Sequence, residues 1–177
     1  MSFEDYIDNQ GLSQYLNHIY QDFNIYDNNL MLFTNQFLSP ISNSAPTFYK
    51  FFITDTIVTQ EGDKLVEMEF VPRNQTDLLL QGKLYVTLDG HYAIQKADMA
   101  GNKRTNINWV RDFRAIQEFR KAADGRFYTS KSTLLADFGL FANSKGGIYG
   151  ERTVSVKDFV VNKALPDEFY KRDAEVR

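Results

Sequence analysis

The sequence predicts a mainly β (α+β) domain. The expected architecture is a curved antiparallel meander sheet or half-barrel of about seven to eight strands, with an N-terminal amphipathic helix packed on it. Aromatic residues, mostly Phe and Tyr, make up 15% of the 177 residues, and such side chains favour half-buried pleated strands. Segments with a period of two, separated by short polar turns, fill 30–161. An apolar stripe with a helical period precedes them.

The helical segment is predicted at about 3–23. Its apolar positions are spaced by three or four residues and are Leu12, Tyr15, Leu16, Ile19, Tyr20 and Phe23. This spacing places them on one face of a helix, and we expect that face to pack on the sheet. A polar break at 24–29 ends the segment.

The predicted strands follow one another with short turns between them. They lie at about 30–37, 48–59, 66–70, 78–88, 92–99, 105–120, 126–141 and 148–161, and a polar tail occupies 162–177. Val66, Met68 and Phe70 alternate with Glu67 and Glu69, which predicts one buried and one wet sheet face. Because short connections pair sequence neighbours, we expect a meander within a single domain, 1–177.

Composition excludes several classes of function. The net charge of −3 comes from 20 basic and 23 acidic residues, and their interleaving argues against a nucleic-acid surface. The absence of Cys excludes disulfides, thiol catalysis and Cys-based zinc sites. No apolar run approaches the ~20 residues of a membrane helix, so this segment is not expected to span a bilayer itself. The acidic start lacks a signal peptide, which suits a cytosolic protein or a fragment of an exported one.

Candidate catalytic residues are few. His18 and His91 have no partner at metal-binding spacing, so both are expected to be solvated. Glu67 and Glu69 could mimic an acid–base pair, but such alternation is ordinary on a wet sheet face, which is the favoured interpretation. The glycines at 146–150 precede a strand, whereas phosphate-binding glycines open a helix. We therefore predict no enzyme activity, no cofactor and no metal.

Five short motifs in a fixed order carry a resemblance to a known family. They are Phe37-Leu38-Ser39-Pro40-Ile41-Ser42, Phe48-Tyr49-Lys50-Phe51, Phe70-Val71-Pro72-Arg73, Gly82-Lys83-Leu84-Tyr85-Val86 and Asn106-Ile107-Asn108-Trp109-Val110. Over about 24–161 the chain resembles the central domain of an uncharacterised outer-membrane protein family of Bacteroidetes. The resemblance implies a carboxypeptidase-regulatory-like domain before this one and a membrane β-barrel after it. It also implies a fragment of a longer exported protein, located in the periplasm at the outer membrane, with the neighbouring domains as partners.

The sheet pattern is also similar to the half-barrel of LolA- and LolB-type lipoprotein carriers, which hold acyl chains in an apolar cavity. That similarity implies a lipid or another apolar ligand on the concave face. The candidate ligand-binding residues are Phe52, Met68, Phe70, Leu84, Val86 and Trp109. The alternative function is a structural spacer or protein-interaction module that contacts its neighbours through an exposed sheet edge. A filled concave face would favour this alternative.

Overall fold

The computed structural model describes residues 19–60, 62–102, 107, 110–139, 147–157 and 159. This part of the chain contains nine strands and one short helix. The strands are β1 (Asn29–Leu32), β2 (Asn35–Leu38), β3 (Tyr49–Val58), β4 (Lys64–Pro72), β5 (Leu80–Thr87), β6 (Ile94–Gly101), β7 (Val110–Lys121), β8 (Phe127–Gly139) and β9 (Gly147–Ser155). The helix α1 (Ala45–Phe48) leads directly into β3 and carries a proline in its first turn.

Strands β3 to β9 form one antiparallel seven-stranded sheet in sequence order. Each strand pairs with the strand before it because the connections are short, as the sequence predicted. The mainly β character and the meander are therefore confirmed. Strands β3 and β9 are the two edges, so the sheet does not close into a barrel.

The predicted strand at 30–37 is instead a hairpin, in which β1 and β2 form a separate two-stranded sheet. The chain reverses at Phe33, whose φ of 58° lies in the left-handed region. The Phe33 ring is buried and makes edge contacts with Phe113 at 5.3 Å and Phe138 at 5.8 Å. Hairpin turns usually signal themselves by Asn-Gly or Asp-Gly. Here the buried ring accounts for an unusual turn residue that the sequence pattern did not reveal.

The predicted N-terminal amphipathic helix is not supported. Most of it lies outside the described residues, and 20–23 are not helical. The side chain of Gln117 instead binds main-chain groups at this point: it donates to Phe23 C=O at 2.7 Å and accepts from Ile25 N–H at 3.0 Å. These contacts fix the irregular segment at 21–25. Ile19 and Phe23 are buried as the stripe predicted. Tyr20, also assigned to the stripe, is exposed.

The two faces of the large sheet have different roles. The covered face carries a cross-strand row of Phe70, Met99, Ala115 and Leu134, with Gly82 between the first two. The described chain before α1, including the β1–β2 hairpin, packs against this face and forms most of the buried apolar core with it. The open face carries Glu67, Lys83 and the residues aligned with them.

Three buried polar side chains stabilise this packing. Gln117 binds the segment before β1, as described above. Ser39 donates its hydroxyl to Ile25 C=O at 2.6 Å. Tyr49 donates its hydroxyl to Leu38 C=O at 2.7 Å and accepts from Leu80 N–H at 3.3 Å. Each bond satisfies a main-chain group that burial would otherwise leave without a partner, which is costly.

Candidate functional site

The predicted ligand-binding residues do not form a single surface. Phe70 and Leu84 are 0% and 2% exposed and belong to the core. Met68 and Val86 lie on the same covered face and are half-buried. Phe52 pairs with Glu69 and therefore lies on the open face, so its grouping with the others was wrong. Trp109 lies outside the described residues.

The covered face around Phe70 is filled by the chain's own aromatic side chains. The Phe70 ring contacts Tyr49 edge-on at 5.6 Å and lies 6.5 Å from Phe51. Burial raises the pKa of Tyr49 to about 12, because its hydroxyl is held in an apolar site where the phenolate is disfavoured. At this position the face is a core packed with the chain's own side chains.

Charged side chains form a paired network across the open face. Lys83 Nζ lies 2.6 Å from Glu67 Oε1, and Thr54 donates its hydroxyl to the same oxygen at 2.9 Å. Arg114 Nε donates to Asp98 Oδ1 at 2.7 Å. These groups come from β3 to β7 and follow the cross-strand register.

The pKa shifts in this network follow from its hydrogen bonds. The bond from Lys83 holds the pKa of Glu67 below its ordinary value and raises the pKa of Lys83. The pKa of Tyr85 is raised, first by burial and then by its hydrogen bond to Glu67. Glu67 is therefore a stable carboxylate, and its environment does not poise it as a general acid near neutral pH.

Other chemical candidates also have ordinary surroundings. His91 lies exposed at the β5–β6 turn, where its main-chain N–H donates to Asp89 Oδ1 at 3.0 Å. His18 lies outside the described residues. Glu69 stands opposite Lys83 in the sheet register, so both glutamates of the predicted pair face a cation. Within the described ranges, no group of three or more His, Asp or Glu side chains could hold a metal ion.

A cleft of about 970 Å³ lies at the end of the sheet where the β3–β4, β5–β6 and β7–β8 turns meet. Leu65 and Thr87 are buried in its lining, while Lys96 and Glu118 bring opposite charges to it. Lys96 lies 5.8 Å from the centre of the Tyr85 ring, also in the lining. The mixed charges select no particular class of ligand.

The edge strand β3 exposes apolar side chains on both faces. Phe52 is 51% exposed on the open face, while Ile53 and Val58 are 71% and 65% exposed on the covered face. A register shift between Ile53 and Asp55 makes Thr54 an extra residue, a β-bulge. An exposed edge strand with apolar residues is a template for pairing with another chain.

The main-chain hydrogen bonds define which β3 groups face outward. Arg73 N–H donates to Phe48 C=O at 2.8 Å, and Thr59 N–H donates to Asp63 C=O at 2.9 Å. Antiparallel pairs alternate between bonded and non-bonded positions. Phe48 and Thr59 are bonded to the residues that flank β4, and bonded and non-bonded residues alternate inward from each of them. The main-chain N–H and C=O groups that point away from β4 therefore belong to Tyr49, Phe51, Ile53, Thr56 and Val58. The Tyr49 N–H already donates to Ala45 C=O, and the Thr56 N–H donates to Asp55 Oδ1 at 2.7 Å. Within the described part of the chain, the N–H groups of Phe51, Ile53 and Val58 are left to pair with an added strand.

Comparison with known proteins establishes the family. The model of a family of unknown function, DUF5686, matches residues 1–157, which is most of the chain. This chain belongs to the DUF5686 family. No curated protein and no solved structure matches it. Among the described residues of this DUF5686 chain, no helix is sufficiently long and apolar to cross a bilayer.

The edge residues were not among the sequence-predicted site residues of this DUF5686 chain. The segment at 48–59 was correctly predicted as a strand, but sequence alone did not place it at an edge. One signal was available: Ile53 and Val58 stand in a run with Thr54, Asp55 and Thr56, where polar residues occupy both sheet faces. Polar residues on both faces are typical of a strand that is not buried between neighbours.

Proposed function

We propose that this DUF5686 domain is a non-catalytic accessory domain that holds a partner polypeptide by strand addition to β3. The observation that carries the proposal is that, among the described residues, no strand pairs with the outward-facing main-chain groups of Phe51, Ile53 and Val58 on β3. The exposed side chains of Phe52, Ile53 and Val58 flank these groups. In strand addition, main-chain hydrogen bonds supply affinity and alternate side chains supply specificity. This develops the interaction-module alternative that the sequence left open.

The packing of the covered face supports this choice over a lipid carrier. Phe70 and Leu84, two of the predicted ligand contacts, are buried against the chain's own residues. The open-face network supports it over an enzyme, because the carboxylates of Glu67 and Asp98 are bound by Lys83 and Arg114. A domain with a filled face and a free edge is suited to contact through that edge.

The cellular setting belongs to the same proposal. The sequence resemblance supports a periplasmic domain within an outer-membrane protein of Bacteroidetes, placed between a carboxypeptidase-regulatory-like domain and a β-barrel. Neighbouring domains of that protein could supply the extended segment. The parent gene tests the location: we expect it to encode a signal sequence upstream of this domain, and a gene without one would contradict export.

A peptide-binding experiment tests strand addition directly. The probe is a fluorescein-labelled decapeptide of alternating Thr and Val, and binding is measured by fluorescence anisotropy. We expect binding to the wild-type chain and its loss in Ile53→Pro, because proline removes an outward-facing N–H from β3. The matched control is Tyr149→Pro on β9, the other edge. Val156 N–H donates to Ser130 C=O, so Tyr149 N–H also faces outward by alternation.

The outcomes of this experiment separate cleanly. Binding that survives Tyr149→Pro and is lost in Ile53→Pro supports docking on β3. Failure of the wild-type chain to bind the peptide would contradict the proposal, as would equal binding by Ile53→Pro. Circular dichroism of each variant establishes that the sheet is intact.

Binding of an apolar ligand is the second candidate, and one observation favours it. Ile53 pairs with Met68 at the covered-face edge, and both are at least partly exposed, as is Val86 nearby. Native mass spectrometry after incubation with bacterial envelope lipids tests this candidate. A stoichiometric lipid adduct that Met68→Asp abolishes would support it, whereas an intact, folded chain without an adduct would eliminate it.

A further inference from the structure

We propose that the partner of β3 is a second copy of this chain, paired antiparallel across a twofold axis at Phe52. This inference rests on the proposed function and names the partner for the same edge. The two seven-stranded sheets would join into one continuous sheet. A twofold interface uses the same surface on both copies, so β3 must be complementary to itself.

The main-chain groups satisfy this requirement. With Phe52 opposite its own copy, Phe51 faces the second copy's Ile53, and both residues have outward-facing N–H and C=O groups. Tyr49 and Thr56 stand opposite each other next, because Thr54 is an extra residue in the bulge. Their N–H groups already bond Ala45 C=O and Asp55 Oδ1, so the two symmetric Phe51–Ile53 pairs supply the ladder bonds. The bonded and non-bonded positions of the two strands therefore coincide, as an antiparallel ladder requires.

The charges on β3 are complementary in the same register. Lys50 and Asp55 both lie on the open face, since Lys50 pairs with Val71 and Asp55 with Glu67 on β4. With the bulge counted, Lys50 of each copy stands opposite Asp55 of the other. Both residues are exposed, and neither has an ion pair among the described residues. Oppositely charged residues placed directly across a ladder attract, whereas like charges repel.

The exposed apolar side chains of β3 fit this pairing as well. Phe52 stacks beside its own copy on the open face, and Ile53 lies beside Phe51 on the covered face. Pairing removes these exposed surfaces from water at the centre of the interface. Strand β9, the other edge, is different because Arg152 there bonds Gln21 C=O and Asp22, in the segment before β1.

Charge reversal tests the register. Lys50→Asp places two acidic residues opposite each other in both symmetric pairs, and Asp55→Lys places two basic residues there. We expect sedimentation equilibrium to give a dimer for the wild type. For each variant we expect the dissociation constant of the dimer to be at least about tenfold higher than that of the wild type. Mixing the two variants restores both opposite-charge pairs, so the mixture should dimerise as the wild type does. Lys157→Asp, an exposed reversal after β9, is the matched control and should leave dimerisation unchanged.

The results distinguish this inference from the proposed function. A wild-type chain that stays monomeric at every concentration overturns self-pairing, as does a mixture of the two variants that fails to recover. The Thr–Val peptide assay is then decisive for strand addition itself: peptide binding by a monomeric chain leaves docking on β3 standing and assigns it another partner. Circular dichroism excludes unfolding as the cause of a lost dimer.

Discussion

Replacing Tyr49 by Phe removes a single oxygen atom from the contact between the large sheet and the chain segment that packs on its covered face. That hydroxyl bonds Leu38 C=O and Leu80 N–H, and the ring is 0% exposed. The variant keeps the ring packing but leaves two buried main-chain groups without this partner. An unsatisfied buried polar group costs ~1–3 kcal/mol. We therefore expect Tyr49→Phe to lower the free energy of unfolding by about 2 kcal/mol near pH 8, measured by urea denaturation.

The pH dependence of this loss gives a sharper test. The pKa of Tyr49 is about 12 in the folded chain, against an ordinary value of 10.0. Above pH 10 the unfolded chain ionises this tyrosine while the folded chain keeps it neutral. The stability that the neutral hydroxyl contributes is therefore complete below pH 10 and falls as the pH rises towards 12. The expected slope is about 1.4 kcal/mol per pH unit.

The variant lacks this titration, so the difference between the two proteins should shrink with pH. From about 2 kcal/mol near pH 8, it should fall to about zero near pH 12, because a pKa difference of about two units removes at most about 2.7 kcal/mol. The other nine tyrosines are the same in both proteins, so their contributions cancel in the difference. Tyr149→Phe, which changes an exposed tyrosine, is the control and should stay within about 0.5 kcal/mol of wild type. A difference that stays constant from pH 8 to 12 would refute the buried, neutral Tyr49.

Three further substitutions test the fold. Gln117→Leu removes both bonds to the segment before β1 and should cost ~2–4 kcal/mol in urea denaturation; a neutral effect would contradict the docked segment. Gly82→Ala should cost more than ~2 kcal/mol, because a Cβ there would lie 2.0 Å from Asp98 C=O; unchanged stability would refute this close approach. Glu67 has a lowered pKa, so its contribution is present above the ordinary value of 4.5 and lost as pH falls. Glu67→Gln should weaken that acid-side loss in a pH series of melts, and an unchanged profile would contradict the Lys83 bond.

Local sequence signals were sufficient to predict the meander. The alternation around Glu67 and Glu69 and the turn between β3 and β4 were both correct because they depend on neighbouring residues. The hairpin at Phe33 was missed because its turn is stabilised by distant rings, those of Phe113 and Phe138. The irregular segment held by Gln117 was missed for the same reason. In both cases tertiary contacts overrode the local pattern.

The candidate site was harder to predict because it depends on register. Phe52 was grouped with Phe70, but the pairing of Phe51 with Phe70 places Phe52 on the other face. A shift of one residue exchanges the two faces of a strand. The sequence also could not identify β3 as an edge, since its main-chain groups are the same whether or not a neighbour pairs with them.

Residue-resolved amide exchange tests the central claim, strand addition at β3, most directly. The measurement compares the dilute chain by NMR with the same chain saturated with the Thr–Val decapeptide. We expect the outward-facing amides of Phe51 and Ile53 to exchange rapidly alone and to become protected with the peptide, while Lys50 and Phe52 are protected in both states. Unchanged exchange at Phe51 and Ile53 under saturating peptide would contradict docking on this edge.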